Sequence, residues 1–271
     1  MVVSKPIMCA DVVKSERLAE PGGRLAGRVA VVTGGGRGLG RAAACGLAAA
    51  GAQVAVLGRG RDRLEETVAL IRGAGGRALA VPADVTQEAD LLAAAQVVKD
   101  QLGGCQILVN NAGAAMVRPF LETDTASLRG LLDVNVVGAL LTARIFGAQM
   151  TERRWGRLIN MASIAGMVGE PNLAVYSASK GALIALTKAL AIEWARYGVT
   201  VNALAPGYFR TDLNAQAFDN PEITDRLLKK IPLRRAGEPA ELAPLLVYLA
   251  SEESAFMTGS VLVIDGGQVA R

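Results

Sequence analysis

Histidine is absent from all 271 residues of the chain. This absence excludes a Ser-His-Asp triad, a histidine-ligated zinc site and a histidine general base. Any acid–base catalysis must therefore use another side chain, and we predict no metal site.

Cysteines and long apolar runs are also scarce. Cys9, Cys45 and Cys105 form no C-x-x-C pair and are too widely spaced for a disulfide framework, so we expect a reducing, cytoplasmic environment. No run of about 18 uninterrupted apolar residues occurs, so no membrane span is predicted. The 29 basic and 25 acidic residues nearly balance, and the arginines are scattered, which argues against a nucleic-acid binder.

Short apolar runs alternate with longer helical patterns along most of the chain. The strand candidates are Val29–Thr33, Gln53–Leu57, Ala78–Val81, Gln106–Asn110, Arg157–Met161, Thr200–Leu204 and Ser260–Ile264. The helical candidates are Gly38–Ala50, Arg61–Gly73, Gln87–Leu102, Leu128–Met150, Tyr176–Tyr197 and Pro239–Ala250. This alternation predicts an α/β fold with a parallel sheet and right-handed crossovers.

The predicted fold is a single domain over residues 24–271. Residues 1–23 lack the continuous apolar core of a signal peptide and are interpreted as a flexible extension, with an arm packed on a neighbouring subunit as the alternative. The polar segment 208–235 breaks the alternation and is interpreted as a mobile lid over a site.

A glycine-rich turn follows the first predicted strand and opens the first predicted helix. Glycines allow a close approach to a pyrophosphate, and a helix N-terminus offers free N–H groups to that anion. A tight turn that binds nothing is the alternative, but the position at the first strand–helix junction favours binding. The candidate cofactor residues here are Thr33, Gly34, Gly36, Arg37, Gly38, Leu39 and Gly40.

The end of the second strand indicates which nicotinamide cofactor is preferred. An acidic residue there bonds the ribose 2′-hydroxyl in NAD-binding folds, but this chain has Gly58 followed by Arg59. Arg59, together with Arg37 in the glycine turn, is suited to neutralise a 2′-phosphate, unless both arginines are merely solvated. We therefore predict NADP(H) in preference to NAD(H).

Two further strand ends supply cofactor candidates. Asp84, followed by Val85, is a candidate acceptor for the adenine amino group, although a helix N-cap explains it equally well. Asn111, Ala112 and Gly113 are small residues against which a cofactor can lie, with a plain turn as the alternative.

Tyr176 and Lys180 are four residues apart at the start of the fifth helix, which places them side by side on one face. A nearby ammonium lowers a phenol pKa, so Tyr176 is the natural proton donor to a carbonyl in a chain without histidine. Ser163, just past the fifth strand, can hydrogen-bond the substrate oxygen. The structural alternatives are an ordinary surface pair for Tyr176 and Lys180 and a turn serine for Ser163. Asn135, a polar residue within an apolar helical pattern, is by itself better explained as a buried hydrogen-bonding residue than as part of a proton relay.

Taken together, these motifs resemble the short-chain dehydrogenase/reductase family from about Gly27 to Gly267. The resemblance implies a seven-stranded, doubly wound, Rossmann-like sheet with helices on both faces. It implies that Tyr176 is the acid/base, Lys180 binds the nicotinamide ribose and lowers the tyrosine pKa, Ser163 holds the substrate oxygen and Asn135 holds a relay water. It further implies cofactor contacts at Pro206, Gly207 and Thr211, and a homo-oligomer, either a tetramer or a dimer.

The substrate is less closely defined by these motifs. Gly58-Arg59 and the stretch from Pro206 to Asn214 look like gluconate 5-dehydrogenase and its sugar-acid relatives. Arg118 and Tyr208 are the candidate substrate contacts, since Arg118 can pair with a carboxylate. The alternatives are a 3-oxoacyl-carrier-protein reductase or general ketoreductase, and, in another class, a non-catalytic NADP-binding sensor or scaffold.

Overall fold

The computed structural model describes residues 23–211 and 221–270, and for residues 221–223 it describes the backbone only. The predicted extension over residues 1–23 lies outside these ranges except for Gly23. The predicted lid over residues 208–235 lies partly outside them.

A seven-stranded, all-parallel sheet forms the centre of the fold, in the order β3-β2-β1-β4-β5-β6-β7. The strands are β1 (Val29–Thr33), β2 (Gln53–Gly58), β3 (Arg77–Pro82), β4 (Ile107–Asn110), β5 (Gly156–Met161), β6 (Val199–Pro206) and β7 (Val261–Ile264). The strand order reverses between β1 and β4, which opens a crevice at their carboxyl ends. The predicted doubly wound fold is confirmed.

The helices are α1 (Gly38–Ala49), α2 (Arg61–Gly73), α3 (Glu88–Leu102), α4 (Thr125–Leu132), α5 (Gly138–Arg153), α6 (Ala174–Trp194), α7 (Pro221–Lys229) and α8 (Ala243–Ala250). Three predictions differ from the structure, and one of them is the predicted helix Pro239–Ala250, whose first turn, Pro239–Leu242, is a 3-10 helix. The predicted helix Leu128–Met150 is interrupted by a π-helical turn at Asp133–Val137, and α7 lies within the segment predicted to be an irregular lid.

The hydrophobic core has two layers, one on each face of the sheet. Alternate residues of β1 enter different layers: Ala30 and Val32 pack with α1 and α8, whereas Val29 and Val31 pack with α3 and α5. Because both faces are covered, the strands read as continuous apolar runs in the sequence. The same covering leaves the carboxyl edge of the sheet as the place where polar side chains collect.

Two helical stretches, Thr125–Arg153 and Ala174–Tyr197, are long and apolar enough to cross a membrane by length and composition alone. Both pack against the sheet in this structure. Such core helices pass this test as readily as membrane spans do, so the expectation of no membrane span stays a prediction.

Two cysteines lie within the described part of the chain. Cys105 is a buried free thiol, whose pKa is raised by burial. Cys45 is also buried, in the layer that contains α1.

Candidate active site

The glycine-rich turn between β1 and α1 is built from positions that exclude side chains. Gly34 and Gly38 have φ values of +66° and +52°. A Cβ atom on Gly40 would lie 2.2 Å from the Gly34 carbonyl oxygen and 2.4 Å from Asn111 Nδ2. The turn therefore packs so closely that a larger residue at Gly40 would displace the backbone.

The start of α1 presents its backbone N–H groups without a side-chain cap. Arg37 is the N-cap residue and makes no side-chain capping bond. The first-turn N–H groups of a helix have no intrahelical partner and bind anions readily. These features fit a pyrophosphate at the predicted position.

Asn111 has a different role from the one its small neighbours suggested. Its Nδ2 donates to the carbonyl oxygens of Thr33, at 2.9 Å, and Gly34, at 3.3 Å. The Thr33 hydroxyl in turn accepts from the N–H groups of Asn111 and Ala112 at 3.0 and 2.9 Å. These bonds join the carboxyl ends of β1 and β4 and fix the shape of the crevice.

Two residues that the sequence analysis missed hold the other side of the turn. Arg41 Nη2 donates to the Gly36 carbonyl oxygen at 2.6 Å, and the Thr67 hydroxyl donates to that of Gly35 at 3.0 Å. The two side chains also contact each other, with Arg41 Nε donating to Thr67 Oγ1 at 3.1 Å. No sequence motif signals them, because the contact joins α1 to α2.

The predicted cofactor-selecting residues lie in the turn after β1 and at the ends of β2 and β3. Arg59 and Arg37 are exposed, and Arg59 Nη1 lies 3.9 Å from the carboxylate of Asp84. Asp84 Oδ1 accepts from the N–H and hydroxyl of Thr86, so it closes a turn. The N-cap alternative for Asp84 is wrong, because α3 begins at Glu88 with Gln87 as its N-cap.

Val85 is buried against the start of α5. A Cβ atom on Gly138 would lie 2.7 Å from Val85 Cγ2. Val85 thus packs the turn after β3 onto the helix that follows the π-helical turn.

Tyr176, Lys180 and Ser163 meet at the carboxyl end of β5. Lys180 Nζ donates to the Met161 carbonyl oxygen at 2.7 Å and lies 5.8 Å from the centroid of the Tyr176 ring. Ser163 follows β5 and hydrogen-bonds with the Tyr176 phenol. The structure therefore brings together the three residues that the sequence placed on one helix and one strand end.

The electrostatics of this group differ from the expectation. Burial raises the pKa of the Tyr176 phenol, and the hydrogen bond with Ser163 lowers it in part. Burial also lowers the pKa of the Lys180 ammonium from 10.5 to about 8. The predicted lowering of the Tyr176 pKa by Lys180 is not seen, because desolvation dominates the pKa of both groups.

Asn135 lies in the π-helical turn and is fully buried. Its Oδ1 accepts from the Ala114 N–H at 2.8 Å, and its Nδ2 donates to the Ala114 carbonyl at 2.9 Å and to Ser179 Oγ at 3.0 Å. Ser179 Oγ donates onward to the Tyr176 carbonyl at 2.7 Å. Asn135 thus ties the segment after β4 to the helix that carries Tyr176, and Ser179 is a third residue that the sequence analysis missed.

Gly113 is the point at which the β4 segment meets the catalytic candidates. A Cβ atom there would lie 3.4 Å from Asn135 Oδ1 and 3.5 Å from Lys180 Nζ. Gly113 thus lies within van der Waals reach of both catalytic candidates, of which Lys180 is itself buried.

The segment after β6 also reaches the glycine turn. Thr211 lies beside Gly38, since its Cγ2 would be 3.7 Å from a Cβ on that glycine. Gly207, after Pro206 at the end of β6, packs against Asp265, where a Cβ would approach the Asp265 Cβ to 2.7 Å. Thr211 therefore lies over the start of α1, where the pyrophosphate is expected.

The two substrate candidates already have charged neighbours. Arg118 Nη1 lies 3.1 Å from Asp124 Oδ2, and the Arg118 N–H donates to the Asn172 carbonyl oxygen. Burial and the Glu170 carboxylate raise the pKa of Tyr208, and Lys230 opposes them. Among the described residues no cluster of histidine, cysteine or acidic side chains could hold a metal ion.

Comparison with known proteins gives the same family throughout. Residues 34–268 match the family described as enoyl-(acyl carrier protein) reductase. Over 250 residues the chain is 41% identical to galactitol 2-dehydrogenase (L-tagatose-forming) of Cereibacter sphaeroides, covering 90% of this chain and 96% of that protein. Over 243 residues it is 35% identical to gluconate 5-dehydrogenase of Gluconobacter oxydans, covering 90% of this chain and 95% of that protein.

A solved structure agrees with these relatives. The gluconate 5-dehydrogenase of Burkholderia cenocepacia, determined in complex with NADP and tartrate, superimposes with a TM-score of 0.87 at 36% identity. The match covers 90% of this chain and 96% of that one. The chain therefore belongs to the short-chain dehydrogenase/reductase family and is an oxidoreductase that acts on CH–OH groups.

Proposed function

We propose that this protein is an NADP(H)-dependent dehydrogenase that interconverts a secondary alcohol and a ketone on a polyol or sugar acid. The observation that carries the proposal is the meeting of Tyr176, Ser163 and Lys180 at the carboxyl end of β5, beside the crevice between β1 and β4. The small-molecule substrate class is supported by the relatives named for galactitol and gluconate.

Each residue has a distinct part in this reaction. Ser163 hydrogen-bonds the reacting oxygen and stabilises charge that develops there. The Tyr176 phenol gives a proton to that oxygen in reduction and removes it in oxidation. Lys180 and the glycine turn would hold the cofactor, and the bound nicotinamide supplies or accepts the hydride.

Proton transfer needs the Tyr176 pKa to be near the working pH, whereas burial raises this pKa. Two groups of this chain act in the opposite direction. Ser163 donates to the developing phenolate, and a protonated Lys180, one helical turn away, stabilises its charge. Since the pKa of Lys180 is about 8, the ammonium form is present at neutral pH.

The preference for NADP(H) rests on the exposed guanidinium groups of Arg59 and Arg37 and on Gly58, which leaves room for a 2′-phosphate. Asp84 faces Arg59 across 3.9 Å, so part of its charge is already neutralised. A solvent-exposed pair at that distance is weak, and a doubly charged phosphate competes with it effectively.

Purified protein incubated with NADP⁺ or NAD⁺ and a panel of galactitol, gluconate and simple secondary alcohols tests the proposal. The reverse reaction uses NADPH with 5-ketogluconate, an acetoacetyl thioester and a bulky ketone. We expect turnover with NADP⁺ and a polyol or sugar acid. Turnover confined to the thioester would favour a 3-oxoacyl reductase instead. Cofactor binding without turnover on any substrate would favour the non-catalytic alternative.

A further inference from the structure

We propose that Arg41 and Thr67 act as a positioning pair that orients the glycine-rich turn for pyrophosphate binding. The inference rests on the proposed use of this turn by the cofactor. Neither residue belongs to the glycine motif: Arg41 lies in α1 and Thr67 in α2, and the Arg41 guanidinium contacts Thr67 and Glu66 of α2.

The pair fixes two consecutive carbonyl groups. The Gly35 oxygen accepts from the Thr67 hydroxyl at 3.0 Å, and the Gly36 oxygen accepts from Arg41 Nη2 at 2.6 Å. A carbonyl oxygen that faced the crevice would present partial negative charge to a pyrophosphate. Because both oxygens are bonded on the α2 side, these two peptide groups keep their negative ends away from the anion.

The two donors are also coupled to each other. Arg41 Nε donates to Thr67 Oγ1 at 3.1 Å, so the hydroxyl accepts from a cation while it donates to Gly35. Such charge-assisted, connected hydrogen bonds are stronger than isolated neutral ones. Glu66 pairs with Arg41 at 2.7 Å and holds the guanidinium in place.

Burial makes the Thr67 contact costly to lose. Its side chain is fully buried, and a single hydroxyl proton serves either Gly35 at 3.0 Å or the carbonyl of Arg63, in its own helix, at 3.2 Å. Without this hydroxyl the Gly35 carbonyl loses its bond from α2. The peptide group is then free to rotate toward the crevice.

The test is Thr67→Val, which keeps the side-chain shape and removes the hydroxyl. We expect the Kd for NADPH, measured by cofactor fluorescence, to rise about tenfold. Thr67→Ser, which retains the hydroxyl, should restore a Kd close to that of the wild type. The matched control is Thr187→Val in α6, another fully buried threonine whose hydroxyl accepts from Asn160 and donates to Leu183. It should lower the Tm and leave the Kd unchanged.

A second pair of variants tests the same idea at the other donor, Arg41. Arg41→Met removes the donor to Gly36 and is expected to raise the Kd for NADPH, whereas Glu66→Gln, which weakens only the ion pair, is expected to raise it less. If Thr67→Val and Arg41→Met lower the Tm but bind the cofactor as the wild type does, the inference is overturned.

Failure of the inference is distinguishable from failure of the proposed cofactor preference. The pyrophosphate is common to NADPH and NADH, so all variants are measured with both. A wild type that favours NADH overturns the preference for NADP(H), and the Thr67→Val effect on the favoured cofactor still decides the inference.

Discussion

Lys180 is the basic residue near the site whose pKa is shifted most, and its burial lowers the stability of the folded protein. Burial lowers its pKa from 10.5 to about 8. Below pH 8, where Lys180 is charged in both states, this shift lowers the free energy of unfolding by roughly 3 kcal/mol. Lys180→Met removes this penalty but also removes the bond to the Met161 carbonyl oxygen, which costs about 1 kcal/mol. We therefore expect the variant to be inactive and about 2 kcal/mol more stable than the wild type at pH 7.

The pH dependence has a definite sign. The unfolded chain binds a proton at Lys180 more tightly than the native state does, so the wild type gains stability as the pH rises from about 8 to 10.5. The penalty should fall to roughly half by about pH 9.5, and the advantage of Lys180→Met should shrink with it.

Urea unfolding of the wild type and of Lys180→Met at pH 7 and at about pH 9.5 measures the difference in their free energies of unfolding. Lys188→Met, an exposed lysine of the same helix, is the matched control and should change neither stability nor its pH dependence. A Lys180→Met protein that is less stable than the wild type at pH 7, with a gap independent of pH, would refute the reasoning.

Tyr176→Phe should lower kcat about 10²- to 10⁴-fold with an unchanged Kd for NADPH, and near-normal turnover would contradict its role as acid/base. Ser163→Ala removes the hydrogen bond that lowers the Tyr176 pKa, so the pH midpoint of alcohol oxidation should move upward; an unmoved midpoint argues against that bond. Arg59→Ala should raise the KM for NADPH about tenfold and leave that for NADH unchanged, whereas equal changes would dissociate Arg59 from the 2′-phosphate. Glu252→Gln weakens the ion pair with buried Arg157 at 3.0 Å, so the free energy of unfolding should fall by about 1 kcal/mol, measured in urea, without a change in cofactor affinity.

The strands and the site edge could be predicted because the sheet is covered on both faces. Continuous apolar runs such as Val29–Thr33 indicate strands whose side chains are buried on both faces of the sheet. Polar residues just after such runs, Ser163 among them, must then lie at the carboxyl edge. The alternation of strands and helices fixes the crossovers, so the fold followed from local pattern and chirality.

Other features were missed because they depend on contacts between distant segments. Nothing in the apolar pattern of the predicted helix Leu128–Met150 signals a π-helical turn at Asn135. That turn is stabilised by bonds to Ala114, on a different segment. Likewise, Arg41 reaches Thr67 only because α1 and α2 pack side by side.

The pKa shifts of Tyr176 and Lys180 separate two effects. Local spacing determines that the side chains are neighbours, whereas tertiary burial determines the direction of their pKa shifts. A spacing of four residues predicts that the two side chains are neighbours, and it implies that the ammonium lowers the phenol pKa. In the folded protein the Met161 carbonyl holds Lys180 Nζ, and burial shifts both pKa values toward the neutral forms. A positively charged nicotinamide beside the phenol would favour the phenolate directly. Burial therefore reinforces the protonated form of the Tyr176 phenol, whose ordinary pKa is already near 10, and disfavours the ammonium form of Lys180.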